Sequence, residues 1–296
     1  MTRRISTILM FLIASLFIFP GFAAIAGNTL LNPEVRVSSE AVLQGGTILV
    51  VVKNEPNEIS GSLGSINLHF FRDESNKDWV AITGMTVNKK PGEYKLLINV
   101  PNKPVFEKFI TVFKRDFPVT RLLITPQLSQ KGYTAKNIIA NTANENKILA
   151  KVLNVVTPIS YINKPFIYPL SEIKDVGSFG SIRKSDNYTV RHLGQDLKAL
   201  INTLVYSAND GKVVLVKSLR DYGNIVIIDH GLGVYSLYLH LGYFNVKEGQ
   251  MIKRGDLVGL SGNTGYSVAP HLHFSISARG ASLDPLKFIQ ATQGEW

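Results

Sequence analysis

The tripeptide His271-Leu272-His273 constrains the fold more than any other feature of this sequence. It opens an apolar run that continues to Ile276, which is typical of a β-strand. In an extended strand successive side chains alternate between the two faces of a sheet, so the two imidazoles point the same way. The sequence therefore predicts a strand here, with one face that can address a metal ion.

A second segment with ligand side chains, His192-Leu193-Gly194-Gln195-Asp196, lies upstream of the pair. Zinc binds neutral imidazole nitrogen and carboxylate oxygen, and a catalytic zinc keeps three protein ligands and one open position. An H-x-H pair by itself also occurs in strands without a metal. His192, Asp196 and one of the paired histidines together complete a zinc set, so we expect one zinc ion.

Glycine-rich and histidine-containing blocks surround these segments in a definite order. They are Phe179-Gly180-Ser181-Ile182-Arg183, Gly223 to Gly231, Tyr238-Leu239-His240-Leu241, Gly255-Asp256-Leu257-Val258-Gly259, Gly262-Asn263-Thr264-Gly265 and Asp284-Pro285. In content and order the set resembles the lysostaphin and LytM type zinc endopeptidases, which cut peptide cross-links in bacterial cell walls. The resemblance covers about residues 160 to 290 and implies an antiparallel β domain with the zinc at the floor of a groove.

The resemblance implies a role for each matched residue. His192, Asp196 and His273 match the metal ligands of the family, and His240 and His271 match its two catalytic histidines. Zinc makes hydroxide available at neutral pH, while the two uncoordinated imidazoles handle the proton and the developing oxyanion. Which histidine does which stays open, and no other cofactor is expected.

Two further functions compete with this one. A catalytically inactive LytM-like module would bind and activate a cell-wall amidase. Modules of that kind typically lack metal ligands or catalytic histidines, whereas this chain keeps all five matched positions. A protease for glycine-rich proteins outside the wall is the third possibility. The sequence favours a zinc metalloendopeptidase that hydrolyses the peptide cross-links of peptidoglycan.

The N-terminal segment has the layout of a secretory signal peptide. Arg3 and Arg4 precede an apolar stretch from Ile5 to Phe19, and the small residues that follow favour cleavage after Ala26. The stretch is shorter than the roughly twenty residues of a membrane span. Residues 1–26 are therefore expected to be removed, which leaves no stable membrane span and an exported protein of the bacterial periplasm or cell surface.

Composition favours the same location. The chain has no cysteine, which fits an exported protein whose core is large enough to fold without disulfides. The formal net charge of +10 is spread along the chain without a basic block interleaved with aromatic residues. Nucleic acid is therefore not an expected partner, and the positive charge favours residence on an anionic wall.

Residues 34–118 are expected to form a small antiparallel β-sandwich, immunoglobulin-like, with an accessory role. Its strands are rich in β-branched and aromatic residues and are separated by turn residues. They are predicted over Val35 to Val37, Thr47 to Val52, Ile66 to Phe71, Trp79 to Ile82, Tyr94 to Val100 and Phe109 to Phe113.

Residues 119–159 are expected to form a linker with a helix or a helix pair over Thr134 to Asn154, where apolar residues recur every three or four positions. From 160 to 296, short strands alternate with glycine-containing turns, which makes the chain mainly all-β. This order suggests a regulatory hypothesis, in which the N-terminal domain is an intramolecular cover of the groove.

Three other residues near the motifs are interpreted as structural. His230 follows a strand in a turn, and His69 is expected to be an ordinary strand residue. Tyr238 precedes His240 by two positions and should therefore share its face of the sheet. For Tyr238 we favour packing over a hydrogen bond to an oxyanion.

Overall fold

The computed structural model describes residues 32–73, 77–185 and 188–293, and the protein is mostly β within them. The predicted signal peptide, residues 1–26, lies outside the described residues. None of the helices in the described part of the chain has the length and hydropathy of a membrane span.

The described residues of the N-terminal part form nine strands in two sheets. The strands are β1 (Glu34–Val37), β2 (Ala41–Leu43), β3 (Thr47–Lys53), β4 (Ser60–Leu63), β5 (Ile66–Leu68), β6 (Phe70–Arg72), β7 (Trp79–Gly84), β8 (Gly92–Asn99) and β9 (Phe106–Phe113). One sheet has the order β1-β3-β7-β6, and the other has the order β2-β9-β8-β4-β5. A shared apolar core, with Ile48, Leu96 and Ile110 among its fully buried members, joins the two sheets.

Strand β3 is buried on both of its faces. Ile48 and Val50 belong to the core between the two sheets, whereas Leu49 and Val51 belong to the core of the C-terminal part. A strand covered on both sides has no polar alternation, and the run Thr47-Ile48-Leu49-Val50-Val51-Val52 shows none. The four-stranded sheet is therefore the middle layer between the five-stranded sheet and the C-terminal domain.

Two details differ from the predicted sandwich. The single strand expected over Ile66 to Phe71 is interrupted at His69, since β5 pairs with β4 in one sheet and β6 pairs with β7 in the other. His69 is thus an exposed residue at a sheet crossover and not a strand residue. In addition, β2 pairs with β9 in parallel, so the sandwich is not purely antiparallel. Its immunoglobulin-like topology stays a prediction.

The middle of the chain contains one short strand and two helices. They are β10 (Val119–Arg121), α1 (Pro126–Gln130) and α2 (Ala135–Leu153). The predicted helix over Thr134 to Asn154 is confirmed as α2, and the Thr134 hydroxyl caps it by accepting from the amide of Asn137. The apolar side of α2, including Leu149, packs on Ile225, Ile227 and Leu237 of the C-terminal sheet.

The C-terminal part, as far as the structure describes it, contains twelve strands and one helix. The elements are β11 (Asp175–Gly177), β12 (Ile182–Ser185), β13 (Tyr188–Arg191), β14 (Gln195–Lys198), β15 (Leu204–Tyr206), β16 (Gly211–Leu219), β17 (Gly223–Asp229), β18 (Val234–Phe244), β19 (Met251–Ile252), β20 (Leu257–Ser261), β21 (His271–Ala278), β22 (Ala281–Leu283) and α3 (Pro285–Thr292). The main sheet follows the order β11-β14-β21-β18-β17-β16-β19, and all its pairs are antiparallel. Strands β12 and β13 form a separate hairpin that extends β10.

Helix α3 and the strand before it join the two parts of the chain. Leu283, Phe288 and Ile289 are fully buried in the same core as Leu49 and Val51 of β3. The carboxylate of Asp284 caps α3 and also accepts from Arg115 Nη1 at 2.8 Å. The predicted domain boundaries stay predictions, but the parts they separate share a continuous apolar core.

Candidate metal centre

The two ligand segments meet on one face of the main sheet. In the antiparallel pairing of β14 with β21, Asp196 lies directly opposite His273. His192 follows the last residue of β13, and its Nε2 lies 2.9 Å from both Asp196 Oδ1 and His273 Nδ1. Asp196 Oδ1 lies 2.8 Å from His273 Nδ1. Three potential metal ligands therefore converge on one point.

The remaining ring nitrogens of these histidines are held by oxygen atoms. His192 Nδ1 donates to the carbonyl oxygen of Ser178 at 3.0 Å, because a carbonyl can only accept. His273 Nε2 lies 2.9 Å from the hydroxyl of Ser275. Metal-binding histidines almost always have such a partner, which orients the ring and selects its tautomer. Ser275 continues the alternation of His271 and His273, and that spacing could have identified it in the sequence.

The chemistry of the donor set fits a cation. With Nδ1 of a neutral His192 carrying the proton, Nε2 is an acceptor, and the carboxylate oxygen of Asp196 2.9 Å away is also an acceptor. Two acceptors at that distance repel one another unless positive charge lies between them. Two imidazoles and one carboxylate are ligands that zinc prefers. His192, Asp196 and His273 could therefore hold a zinc ion.

Burial and neighbouring side chains give Asp196 and His273 the ionisation states that bind a metal ion. Burial by itself raises the pKa of Asp196, but the contacts with His192, His271 and His273 outweigh it and leave the pKa well below its ordinary value. Burial lowers the pKa of His273 to about 4. At neutral pH the carboxyl is thus ionised and this imidazole is neutral, which are the forms that bind a metal.

The two remaining histidines lie beside the ligands. The ring centroids of His240 and His271 are 4.8 Å apart. His240 Nδ1 donates to the carbonyl oxygen of Thr264 at 2.8 Å, and His271 Nδ1 donates to that of Ala269 at 2.8 Å. In both neutral rings Nε2 is therefore the free acceptor, and Nε2 of His271 lies 3.4 Å from Asp196 Oδ1.

The environments of His240 and His271 shift their pKa values in opposite directions. Burial, together with the charges of His271 and His273, lowers the pKa of His240 well below its ordinary value. Burial also acts to lower the pKa of His271, but the hydrogen bond and charge of Asp196 outweigh it and raise the pKa. The pKa of His271 is thus shifted upwards and that of His240 downwards.

Arg183 holds the second carboxylate oxygen of Asp196. Its Nη2 donates to Oδ2 at 2.8 Å, which leaves Oδ1 to face the histidines. Glycines leave space around the cluster, since a Cβ at Gly177 would stand 2.5 Å from Asp196 Oδ2 and one at Gly194 would stand 2.3 Å from His273 Nε2. The sequence motif contained Arg183 without indicating this contact.

Two clefts meet at the cluster, and both are lined by Arg183, His240 and Tyr266. The helix-side cleft, about 570 Å³, lies between α2 and the main sheet and is also lined by Leu237 and Leu239. The loop-side cleft, about 680 Å³, is also lined by Arg121, Lys198 and residues 267–271. All described lining residues fall between 118 and 282, so none of the strands β1 to β9 lines either cleft, and the intramolecular cover has no support from these contacts.

The structure separates Tyr238 from His240. His240 has a positive φ of 61° where the pairing of β17 with β18 is irregular, so the alternation of faces breaks there. Tyr238 therefore lies in the core, where its hydroxyl accepts from the amide of Ala208. The prediction of a shared face was wrong, and the preference for packing is confirmed.

His230 is also fully buried, with Asp210 and Ser236 as hydrogen-bond partners.

The site combines two imidazoles and a carboxylate that can bind a metal ion with two further imidazoles beside them. Metallopeptidases use this combination of side chains, and the fold and the site therefore define the protein as a metallopeptidase. Residues 190–285 match peptidase family M23, so this part of the chain is similar to the domain of that family. The family includes the LytM and lysostaphin type to which the sequence motifs pointed.

Individual relatives agree with this placement. The chain shares 43% identity over 96 residues with peptidoglycan DD-endopeptidase ShyA of Vibrio cholerae, which is 32% of this chain and 22% of that protein. It shares 37% identity over 107 residues with glycyl-glycine endopeptidase ALE-1 of Staphylococcus capitis, 34% of this chain and 29% of that protein. The chain thus spans less than a third of the length of these curated relatives.

A solved structure shows the same fold over most of the chain. A family M23 peptidase structure from Pseudomonas aeruginosa superimposes with a TM-score of 0.59 at 24% sequence identity. The match covers 84% of this chain and 95% of the other. It therefore extends beyond the metal centre and includes much of the N-terminal part.

Proposed function

We propose that the protein is a zinc-dependent endopeptidase that hydrolyses the peptide cross-links of bacterial peptidoglycan. The observation that carries the proposal is the convergence of His192, Asp196 and His273 where two clefts meet. An extended peptide lying along both clefts would bring one of its bonds to this point. The names of the relatives ShyA and ALE-1, both endopeptidases, support a peptide substrate.

In this mechanism the ligands and the free imidazoles divide the work. A bound zinc ion supplies Lewis acidity and makes a water nucleophile available at neutral pH. His271, whose Nδ1 is held by the carbonyl oxygen of Ala269 and whose Nε2 faces the cluster, accepts the proton of the nucleophile and passes it to the leaving amine. His240 keeps its proton on Nδ1, so its Nε2 accepts a hydrogen bond and orients a proton-bearing reactant.

The walls around the cluster position the substrate. Arg183 fixes Asp196 with Oδ1 towards the histidines, so the carboxylate keeps one orientation while substrate enters. Leu237 and Leu239 give the helix-side cleft an apolar floor that excludes water from the peptide. Substrate orientation and water exclusion are worth several orders of magnitude in rate when the reacting atoms are held in place.

An inactive amidase activator has no observation in its favour. Its defining feature would be a missing ligand or proton carrier, and all five side chains are present and converge. Metal content of the purified protein discriminates between the two functions, because the activator has no need of zinc.

The test combines metal analysis with hydrolysis. The purified full chain should contain about one zinc per molecule and release products from isolated cross-linked peptidoglycan. His192→Ala and His273→Ala should lose both zinc and hydrolysis. His69→Ala is the control and should keep both, because this exposed histidine lies in the N-terminal sandwich and lines neither cleft. Undiminished hydrolysis by metal-free protein would refute the mechanism.

We further propose that the protein works outside the cytoplasm, in the periplasm or at the cell surface. The support is the signal-like sequence of residues 1–26 and the extracytoplasmic location of peptidoglycan. N-terminal sequencing of the protein from its native host should begin at Gly27. Recovery of a cytoplasmic protein that still begins at Met1 would contradict this.

A further inference from the structure

Lys198 lies in the same row of residues as the metal cluster. In the pairing of β14 with β21, Asp196 is opposite His273 and Lys198 is opposite His271. Residues two apart in a strand share a face, and directly opposite residues have Cβ atoms about 5 Å apart. The lysine stem therefore stands beside His271 on the face of the site, and the exposed side chain lines the loop-side cleft.

The loop-side cleft carries an excess of positive charge. Arg121, Arg183 and Lys198 line it, and Asp196 is the only carboxylate among its described lining residues. That carboxylate is already engaged, since Arg183 contacts it at 2.8 Å. Within the described residues neither Arg121 nor Lys198 makes an ion pair. Two cations thus face the cleft without a counter-charge, and cleft walls concentrate the resulting field.

The helix-side cleft has a different character. Its lining includes Ile138, Leu149, Leu237 and Leu239. Its cation Arg191 is engaged, because Nη1 donates to the carbonyl oxygen of Gly180 and the guanidinium lies over the ring of Phe117. A peptide that spans both clefts therefore meets apolar surface on one side of the cluster and unpaired positive charge on the other.

We propose that Lys198, assisted by Arg121, forms a carboxylate-binding subsite that selects peptides with a free carboxylate next to the scissile bond. The inference deepens the proposed function and rests on it. An ammonium binds a carboxylate through a charge-assisted hydrogen bond, which is about twice as strong as a neutral one. Stem peptides that contain a diamino dicarboxylic acid carry such a carboxylate, whereas the interior of a glycine bridge carries none.

The first experiment measures binding, so that it does not depend on turnover. Three synthetic stem tetrapeptides would be titrated into the zinc-loaded full chain: one with all carboxylates free, one with a carboxamide on the diamino acid and one with a carboxamide at the C-terminus. The free acid should bind about tenfold more tightly than one of the two carboxamides, as expected for a single charge-assisted hydrogen bond. The weakened carboxamide identifies which carboxylate occupies the subsite.

Two variants test the assignment to Lys198. Lys198→Met keeps the aliphatic stem and should bind the free acid and the carboxamide with about equal affinity. Lys174→Met is the matched control. Lys174 is a neighbour of Lys198, since its carbonyl oxygen accepts from the Lys198 amide, but the ammonium of Lys174 already pairs with Glu172. It should leave the preference intact. Equal binding of all three peptides to the wild type, or an unchanged preference in Lys198→Met, would overturn the proposal.

A second experiment separates this inference from the proposed function. Hydrolysis of cross-linked substrates in acid and carboxamide forms should show the same preference in kcat/KM. Hydrolysis without any preference refutes the subsite and leaves the peptidase intact. Binding with a Lys198-dependent preference but no hydrolysis supports the subsite and refutes the peptidase.

Discussion

At the scale of single residues, one oxygen atom orients each imidazole of the site. The carbonyl oxygens of Ser178, Thr264 and Ala269 hold His192, His240 and His271, and the hydroxyl of Ser275 holds His273. Three of these four oxygens belong to the backbone and cannot be removed by substitution. Ser275 is the one whose contribution a point mutation can measure.

Ser275→Ala should weaken zinc binding about tenfold, the lower end of the usual range for loss of a hydrogen-bond partner of a ligand histidine. Competition with a chromophoric chelator gives the affinity. Ser277→Ala, the next residue on the same face of β21, is the matched control and should leave the affinity unchanged. Equal affinities of all three proteins would show that Ser275 does not orient His273.

Gly194→Ala should abolish zinc binding by sterics alone. The φ of Gly194 is outside the left-handed region, so the backbone itself tolerates alanine. The added Cβ, however, would stand 2.3 Å from His273 Nε2, which forces that ring away from Asp196. Circular dichroism should show a folded protein while metal analysis shows none bound. Retention of stoichiometric zinc would contradict the packing around the cluster.

At the scale of elements, an acidic pair fastens α2 to the main sheet. The buried Glu145 accepts from the amides of Asp221 and Tyr222 at 2.9 and 3.0 Å. Asp221 in turn accepts from Asn141 and Thr142 of the helix. Burial, opposed by those two hydrogen bonds and aided by the charge of Glu145, raises the pKa of Asp221 to about 6. The anchor that places α2 beside the helix-side cleft is therefore sensitive to pH.

The raised pKa determines the sign of a stability change. The folded protein binds the proton of Asp221 more tightly than the unfolded chain, so stability falls as pH rises from about 4 to about 6 and then levels off. Asp221→Asn has no carboxyl to titrate and lacks this loss. The difference in free energy of unfolding between the variant and the wild type should therefore shift in favour of the variant by about 2 kcal/mol from pH 4 to pH 7.5. Urea unfolding at both pH values measures it. Asp116→Asn, at a highly exposed aspartate, should show no such gain.

At the scale of the whole molecule, the accessory and metal-binding parts are not independent. Leu283 and α3 are buried against the outer face of β3 and β7, and a Cβ at Gly84 would stand 2.4 Å from Leu283. The ion pair between Arg115 and Asp284 crosses the same boundary and holds the carboxylate that caps α3. Unfolding of either part would expose the apolar face of the other.

Residues 32–293 should therefore unfold in one calorimetric transition, and Leu283→Ala should shift that transition as a whole. Truncation of a fully buried leucine costs about 2–5 kcal/mol. Leu200→Ala is the control, since that side chain is 73% exposed and its loss should change stability by less than about 0.5 kcal/mol. Two transitions, only one of which moves, would disprove the shared core.

Local pattern was sufficient for much of the molecule. The alternation of His271 and His273 predicts a strand, and the three-to-four periodicity before Asn154 predicts a helix, because both patterns follow from backbone geometry over a few residues. The break at His69 was missed, since whether a strand stays in one sheet depends on pairing partners that are distant in the chain.

By itself, the sequence determined the strand that carries the paired histidines, the residue types that could hold a metal ion and the match of residues 190–285 to peptidase family M23. The tertiary structure alone decided which atoms meet. It turned His240 towards the cluster and Tyr238 into the core at an irregular pairing, and it placed Lys198 opposite His271. Local propensity specifies the periodicity of a segment, whereas register and bulges follow from long-range pairing and packing.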